Sequence, residues 1–337
     1  MVVVEEDSAV VDAADRYRAI HKGGSMHRFT IFVLAAAGMF LMQVPGDAAT
    51  PDGKGFPSAD AAAQALVAAA KNDDVAGLIE ILGPSAKSIV ATRDSVADRN
   101  SRRAFAARAA QKMSLVPSHG SPKAKTILAG KDQWPLPIPI VELNGQWYFD
   151  TAQGKEEILT RRIGSNELDA IDFCRGFVEA QSDYAAQNRT ANNLPVYAQK
   201  IISSPGERDG LYWKSTGEND ESPIGEIVAR AIAQGYTDKR DPYHGYYFRV
   251  LTAQGNNASG GAMSYLDNGL MTKGFALIAW PSNYGSTGIM TFIVDKTGIV
   301  YQKDLGRKTA EIAGSYTAYD PDKTWNPVSD SHQSALR

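Results

Sequence analysis

Apolar residues recur every three or four positions in three stretches near the start of the chain, which is the spacing of an amphipathic helix. In the first stretch Ala62, Leu66 and Ala69 form one stripe behind Ser58, a residue type that favours helix N-termini. A Gly-Pro pair follows the second stretch and ends it. The pattern predicts helices over 58–72, 74–82 and 101–113.

Beyond these helices the apolar period shortens to that of strands. Residues 138–143 and 146–149 flank the dipeptide Asn144-Gly145. Asn-Gly between two apolar runs is a strong signal for a two-residue β-hairpin. Helices followed by a hairpin-built sheet predict an α+β domain over 57–163.

A long amphipathic stretch separates this region from the rest of the chain. Leu168, Ile171 and Cys174 lie on one helical stripe, and we predict a linking helix over 164–190. The segment 192–222 is rich in Asn, Pro and Gly, which predicts an exposed loop.

The last third is dominated by strand patterns. Residues 275–280 are apolar at every position, which is typical of a strand buried on both faces. Further strands are predicted over 246–252, 289–294 and 299–302. We therefore predict an antiparallel β domain over 191–320 and a loose polar tail over 321–337.

The N-terminal region carries a targeting signal. Residues 26–48 combine a short basic start, an apolar core over 29–42 and the small residues Gly46 and Ala48, as in a cleaved secretory signal peptide. The alternative is an uncleaved membrane anchor, for which an uncharged run of this length is marginal. We expect an exported protein, periplasmic or extracellular, that meets the membrane only through this segment before cleavage.

Residues 1–25 are polar and acidic, and they would place the targeting segment inside the chain. We expect them to be an extension from a start assigned too early, with Met26 as the true initiator.

Composition narrows the class of protein. With 43% hydrophobic and 22% charged residues the chain is typical of a globular protein, and a net charge of −3 offers no basic field for nucleic acid. The single cysteine, Cys174, cannot form an internal disulfide. An exported protein without disulfides fits a bacterial envelope better than a disulfide-stapled secreted domain.

Motifs of common catalytic chemistry are missing from the sequence. Gly-x-Ser-x-Gly, His-Glu-x-x-His, Cys-x-x-Cys and a phosphate loop do not occur. We therefore predict no catalytic residue, no metal site and no cofactor.

One aromatic cluster stands out, formed by Tyr243, His244 and Tyr246. Alternation along a strand places His244 and Tyr246 on the same face. The cluster is either a platform that contacts a ligand or a glycan, or the start of a strand in which the tyrosines pack and the backbone caps the histidine.

Several long segments resemble the domain-of-unknown-function 2950 family of exported bacterial proteins. They are WPLPIPIV (134–141), NGQWYFDTAQGKEEILTRRIGSNEL (144–168), PYHGYYFRVLTAQG (242–255) and GFALIAWPSNYGSTGIMTFIVDKTGIVYQKDLG (274–306). The resemblance covers 56–328 and implies an envelope or secreted location, without a reaction or catalytic residues.

Within the expected α+β class, each half of the chain is similar to a known fold. The first half is similar to the nuclear-transport-factor-2-like fold, with helices on a curved sheet. The last third is similar to the antiparallel head of pilin-like proteins.

These observations favour an exported cell-envelope protein that acts as a non-catalytic binding or assembly module, with an envelope protein or a glycan as its partner. Two alternatives stay open. One is a periplasmic or secreted hydrolase with its pocket in the first domain, and the other is a pilus or secretion accessory subunit.

Overall fold

A computed structural model of the chain describes residues 52–118, 121–217, 220–236 and 241–328. The predicted start extension (1–25) and signal peptide (26–48) lie outside these residues, as does 329–337 of the predicted tail. The described helices are α1 (Ala59–Lys71), α2 (Val75–Leu82), α3 (Lys87–Val90), α4 (Ser95–Gln111), α5 (Thr151–Gln187), α6 (Gly225–Gln234) and α7 (Thr309–Ser315).

The strands of the described residues form two larger sheets and three small pairs. The strands of the first sheet are β1 (Met113–Ser118), β2 (Ser121–Ala129), β3 (Trp134–Pro135), β4 (Ile140–Leu143) and β5 (Gln146–Phe149). The remaining strands are β6 (Lys200–Ile202), β7 (Gly210–Tyr212), β8 (Tyr246–Leu251), β9 (Ala253–Gln254), β10 (Met263–Ser264), β11 (Leu266–Asp267), β12 (Leu270–Met271), β13 (Ala276–Pro281), β14 (Met290–Asp295), β15 (Tyr301–Asp304) and β16 (Asn326–Pro327). The predicted α+β class is confirmed.

In the first half, helices pack on an antiparallel sheet of order β1-β2-β4-β5, with β3 beside β2. Ser58 caps α1 by accepting the N–H of Ala61, as its position in the sequence predicts. Asn144 and Gly145 both have positive φ, 53° and 78°, so they form the predicted turn between β4 and β5. A core that includes Phe56, Leu66 and Phe149 joins the helices to the sheet.

In the second half, five strands form a sheet of order β16-β15-β14-β13-β8, in which every pairing is antiparallel. Residues Ala276–Ala279 of β13 are completely buried, and β13 pairs with β14 on one side and β8 on the other. The prediction of a central strand here is confirmed.

Helix α5 connects the two halves and is longer than predicted. It begins at Thr151 rather than near residue 164, because Asp150 caps it by accepting the N–H of Gln153. Ile158 and Leu159 pack against the first core, while Ile171 and Cys174 belong to the second. The proposed division into domains at 163 and 190 stays a prediction.

Three further expectations differ from the structure. Helix α4 begins at Ser95 instead of residue 101, because Asp94 caps it. The segment 192–222 is not simply an exposed loop, since β6 and β7 pair in parallel within it and Leu211 is completely buried. The tail is not loose as far as residue 328, because Trp325 is buried and β16 pairs with β15.

Among the described residues, no helix combines the length and the apolar character that a membrane span requires.

Candidate functional site

A cleft of about 660 Å³ lies in the second half of the described residues, beside strand β8. We call it the β8 cleft. Its walls are β8, β6, helix α6 and the ring of Phe173 on α5. A volume of this size is within the range of pockets that hold small ligands or peptide segments.

Helix α6 supplies an apolar wall. Ile227, Val228 and Ala231 recur at helical spacing and line the cleft, together with Ile232. Although the helix is strongly amphipathic, none of its residues is buried. Its apolar face is therefore turned toward the cleft and keeps access to solvent.

Aromatic rings form the part of the cleft between α5 and β8. The rings of Phe173 and Phe248 lie 4.1 Å apart between centroids, and those of Phe173 and Tyr243 lie 6.3 Å apart. Burial raises the pKa of Tyr243 above its ordinary value, so this phenol stays neutral near pH 7.

The chain enters β8 through a two-residue turn. Tyr243 and Tyr246 exchange both backbone hydrogen bonds, at 2.8 and 3.1 Å, and the two residues between them have positive φ: 48° at His244 and 75° at Gly245. A Cβ at position 245 would lie 2.5 Å from the side-chain amide of Asn166, so this position requires glycine.

The turn explains where the predicted site residues lie. Tyr243 and Tyr246 border the cleft, whereas His244 does not. Strand alternation does not extend to His244, because the strand begins only at Tyr246. The expectation that His244 and Tyr246 share a strand face is therefore wrong.

His244 links two helices. Its Nδ1 lies 2.7 Å from Asp169 Oδ2 on α5, and its Nε2 lies 2.9 Å from Gln234 Oε1 at the end of α6. A carboxylate bound to a histidine is also the orienting part of a catalytic triad, but there the second ring nitrogen faces a nucleophile. Here Gln234 occupies that nitrogen, and the ring stacks on Tyr243 at 4.2 Å.

Tyr246 is a core residue. Its side chain is completely buried, and its hydroxyl donates to the carbonyl of Met290 at 2.8 Å. Burial raises its pKa far above the ordinary value for tyrosine. Tyr246 therefore packs beneath the cleft and supports it from below.

Sequence reasoning missed a buried polar centre beside the cleft. Asp94 Oδ2 accepts the hydroxyl of Tyr236 at 2.9 Å and the N–H of Gly245 at 2.7 Å, while Oδ1 caps α4 through Ala97. Burial and the neighbouring Asp94 carboxylate raise the pKa of Tyr236. A helix cap at residue 94 was detectable in the sequence, but partners some 140–150 positions away were not.

One of several cavities in the first half, where the hydrolase alternative expects its pocket, has a volume of about 240 Å³. Aliphatic and aromatic side chains line it, together with Ser101 and the arginines Arg102, Arg161 and Arg162. Within the described residues, its walls contain no carboxylate, histidine or thiol.

The described residues offer few groups for metal binding or thiol chemistry. No group of three or more His, Cys, Asp and Glu side chains is placed there to hold a metal ion. Cys174 is completely buried, and burial raises its pKa to about 12, so it packs as a small apolar residue.

The described residues thus define an α+β protein with an apolar cleft at the edge of its second sheet. Residues 53–328 match the family described as "Protein of unknown function (DUF2950)", and the chain belongs to that family, as the quoted segments predicted. No curated protein and no solved structure matches the chain.

Proposed function

We propose that this chain is a non-catalytic binding or assembly protein of the bacterial cell envelope, and that the β8 cleft holds an apolar group of its partner. The main support is the apolar face of α6, which lines a cavity of about 660 Å³ and buries none of its residues. Exposed apolar surface of this kind is typical of interaction sites.

The polar groups beside the cleft support binding over catalysis. Asp94 is held by three donors, and His244 is held by Asp169 and Gln234. Groups with these partners are suited to keeping the cleft in shape, whereas a general base needs one nitrogen or oxygen directed at its substrate.

The neutral dye Nile red tests the cleft. Its fluorescence rises in apolar surroundings, so we expect saturable binding to the purified full chain. Ile232 lines the cleft and is 51% exposed, and Ile232→Glu is expected to weaken dye binding about tenfold by placing a charge there.

Ile299 offers a matched control, because it is 47% exposed and does not line the cleft. Ile299→Glu should leave dye binding unchanged, and both variants should unfold at nearly the wild-type urea concentration. Equal binding by the two variants, or no binding at all, would contradict the proposal.

Export is the second part of the proposal. It is supported by the apolar run over 29–42 and by the small residues Gly46 and Ala48. Expressed from Met26 in a bacterium, the protein should be found outside the cytoplasm with an N-terminus near Ala49. Membrane-bound protein that retains Met26 would instead support an uncleaved anchor.

The fold likenesses belong to the same proposal. Helices α1, α2 and α4 beside a sheet agree with a nuclear-transport-factor-2-like first half, and an antiparallel sheet agrees with a pilin-like head. The hydrolase and the pilus-accessory roles stay alternatives, and fold alone decides neither.

A further inference from the structure

Strand β8 is the outer strand of the five-stranded sheet, with β13 on its inner side. The N–H of Ser282 donates to the carbonyl of Gly245, which makes these two residues a hydrogen-bonded pair. Hydrogen-bonded pairs alternate along an antiparallel ladder, so Tyr247 and Arg249 direct their backbone groups at β13. Phe248 and Val250 direct theirs away from the sheet.

The two ends of this outer edge are already occupied. Tyr246 exchanges both backbone bonds with Tyr243, and the carbonyl of Thr252 accepts the N–H of Tyr265. Between them, the N–H and C=O groups of Phe248 and Val250 have no hydrogen-bond partner within the described part of the chain. Both residues are half-buried and border the β8 cleft.

The cleft occupies the space next to this free edge. Residues Lys200–Ile202 of β6 also line the cleft and lie near β8, but no strand pairing joins β6 to β8 among the described residues. The apolar face of α6, with Ile227 and Val228, lines the same cleft. Free backbone groups and an apolar wall therefore border the same cavity.

This combination identifies the kind of occupant. An acyl chain or a small apolar molecule would fill the volume, but it would leave the backbone groups of Phe248 and Val250 without partners. An extended peptide offers donors and acceptors at the repeat of a strand, and its alternate side chains reach the apolar wall.

We propose that β8 accepts an extended peptide segment of another protein as a sixth strand, with apolar side chains at alternate positions of the peptide filling the β8 cleft. This inference rests on the proposed binding function and specifies its ligand. The paired outer residues Tyr246 and Thr252 limit the added strand to a few residues along Phe248 and Val250.

A library of seven-residue peptides displayed on phage, selected on the immobilised full chain, provides the probe. We expect enrichment of peptides with apolar residues at alternate positions. The enriched peptide is then synthesised with N-methyl groups on either of its two alternating sets of amides. Methylation of the amides that face β8 should weaken binding about tenfold or more, because it removes their hydrogen bonds to the strand. Methylation of the other set should weaken binding much less.

Amide hydrogen exchange gives an independent readout on the protein. Addition of the peptide should slow exchange at Phe248 and Val250, whereas Tyr247 and Arg249 already bond to β13 and serve as internal controls. Two methylated peptides of equal affinity, without protection at Phe248 and Val250, would overturn the inference.

Other occupants give distinct results. If no selected peptide binds in solution while Nile red binding remains sensitive to Ile232→Glu, the peptide inference is wrong and the apolar cleft stands. If neither binds, the proposed function fails as well. If the free chain dimerises with Phe248 and Val250 already protected, a second copy occupies the edge and the inference is overturned.

Discussion

Asp94 shows how one buried carboxylate organises this protein at the scale of a residue. Its two oxygens accept three hydrogen bonds, from Ala97, Tyr236 and Gly245. These donors belong to the first turn of α4, to the residue pair that follows α6, and to the turn before β8. The carboxylate therefore joins the helical half of the chain to the wall of the β8 cleft.

Asp94→Asn is expected to destabilise the protein by about 3 kcal/mol. The amide NH₂ of the new side chain would face the hydroxyl of Tyr236 and the N–H of Gly245, which are themselves donors, in a buried site. Asp74 is the matched control, since it caps α2 through Gly77 alone and is exposed. Asn caps as well as Asp, so Asp74→Asn should cost less than about 0.5 kcal/mol. Urea unfolding followed by circular dichroism measures both, and equal losses would contradict the assigned role of Asp94.

Asp98 is a carboxyl group for which the fold predicts a pH dependence of stability. It is buried and accepts the N–H and hydroxyl of Thr92. Burial raises its pKa above the ordinary value of 3.8, outweighing the bonds from Thr92 and the positive charges of Arg162 and Arg102. Between 3.8 and the raised pKa, the folded chain binds more protons at this site than the unfolded chain does.

The contribution of Asp98 to the free energy of unfolding therefore falls as pH rises through that window. We expect the difference in unfolding free energy, wild type minus Asp98→Asn, to decrease as pH is raised from about 3.8. Urea unfolding of both proteins over a pH series measures it. A difference that increases with pH would mean that folding lowers the pKa of Asp98.

At the scale of elements, helix α5 is shared by both halves of the molecule. Its first turns pack on the first core, with the Cα of Gly154 close to Ile138, and its later turns pack on the second core through Phe177. One helix of 37 residues therefore contributes side chains to both cores.

Two glycines in α5 allow a matched test of this packing. A Cβ at Gly164 would meet nothing within 4 Å, so Gly164→Ala should stabilise the chain by up to about 1 kcal/mol through higher helix propensity. A Cβ at Gly154 would lie 2.6 Å from the Cα of Ile138, so Gly154→Ala should destabilise it. Thermal unfolding compares the two, and a gain in both variants would show that Ile138 moves freely.

The segment between α5 and α6 shows how pairing between elements changes an expectation based on composition. Its Asn, Pro and Gly residues indicate a loop, yet Ser203 donates its N–H to the carbonyl of Tyr212 and Leu211 is completely buried. The turn at 205–208 is exposed at every position, as are the stretches 192–194 and 214–217. Two strands of three residues each are too short for a clear periodic signal.

At the scale of the whole molecule, the turn at 205–208 between β6 and β7 should be an early site of proteolysis. A glutamate-specific protease is expected to cut after Glu207 first, because exposed turns reach the protease without unfolding the core. The two fragments should elute together in size-exclusion chromatography, since β6 and β7 pair across the cut. Glu207→Gln should remove the early cut, and fragments that separate would contradict the packing of this segment.

Family membership and fold class were available from the sequence, while the site was available only in part. The predicted Tyr243 borders the β8 cleft, and Tyr246 supports it from the core. The strand does not include His244, because this residue has a positive φ. A left-handed conformation at a non-glycine residue cannot be recognised from the alternation of apolar and polar residues. The wall formed by α6 was not foreseen as part of a site.

The sequence by itself determined the features that depend on neighbouring residues: the cap at Ser58, the turn at Asn144-Gly145 and the buried run of β13. Only the tertiary structure decided that Asp94 meets Tyr236 and Gly245, and that α6 and the outer edge of β8 line one cleft. Caps, turns and periodicity arise from interactions within a few residues. Contacts across more than a hundred residues depend on how whole elements pack, and no local pattern encodes them.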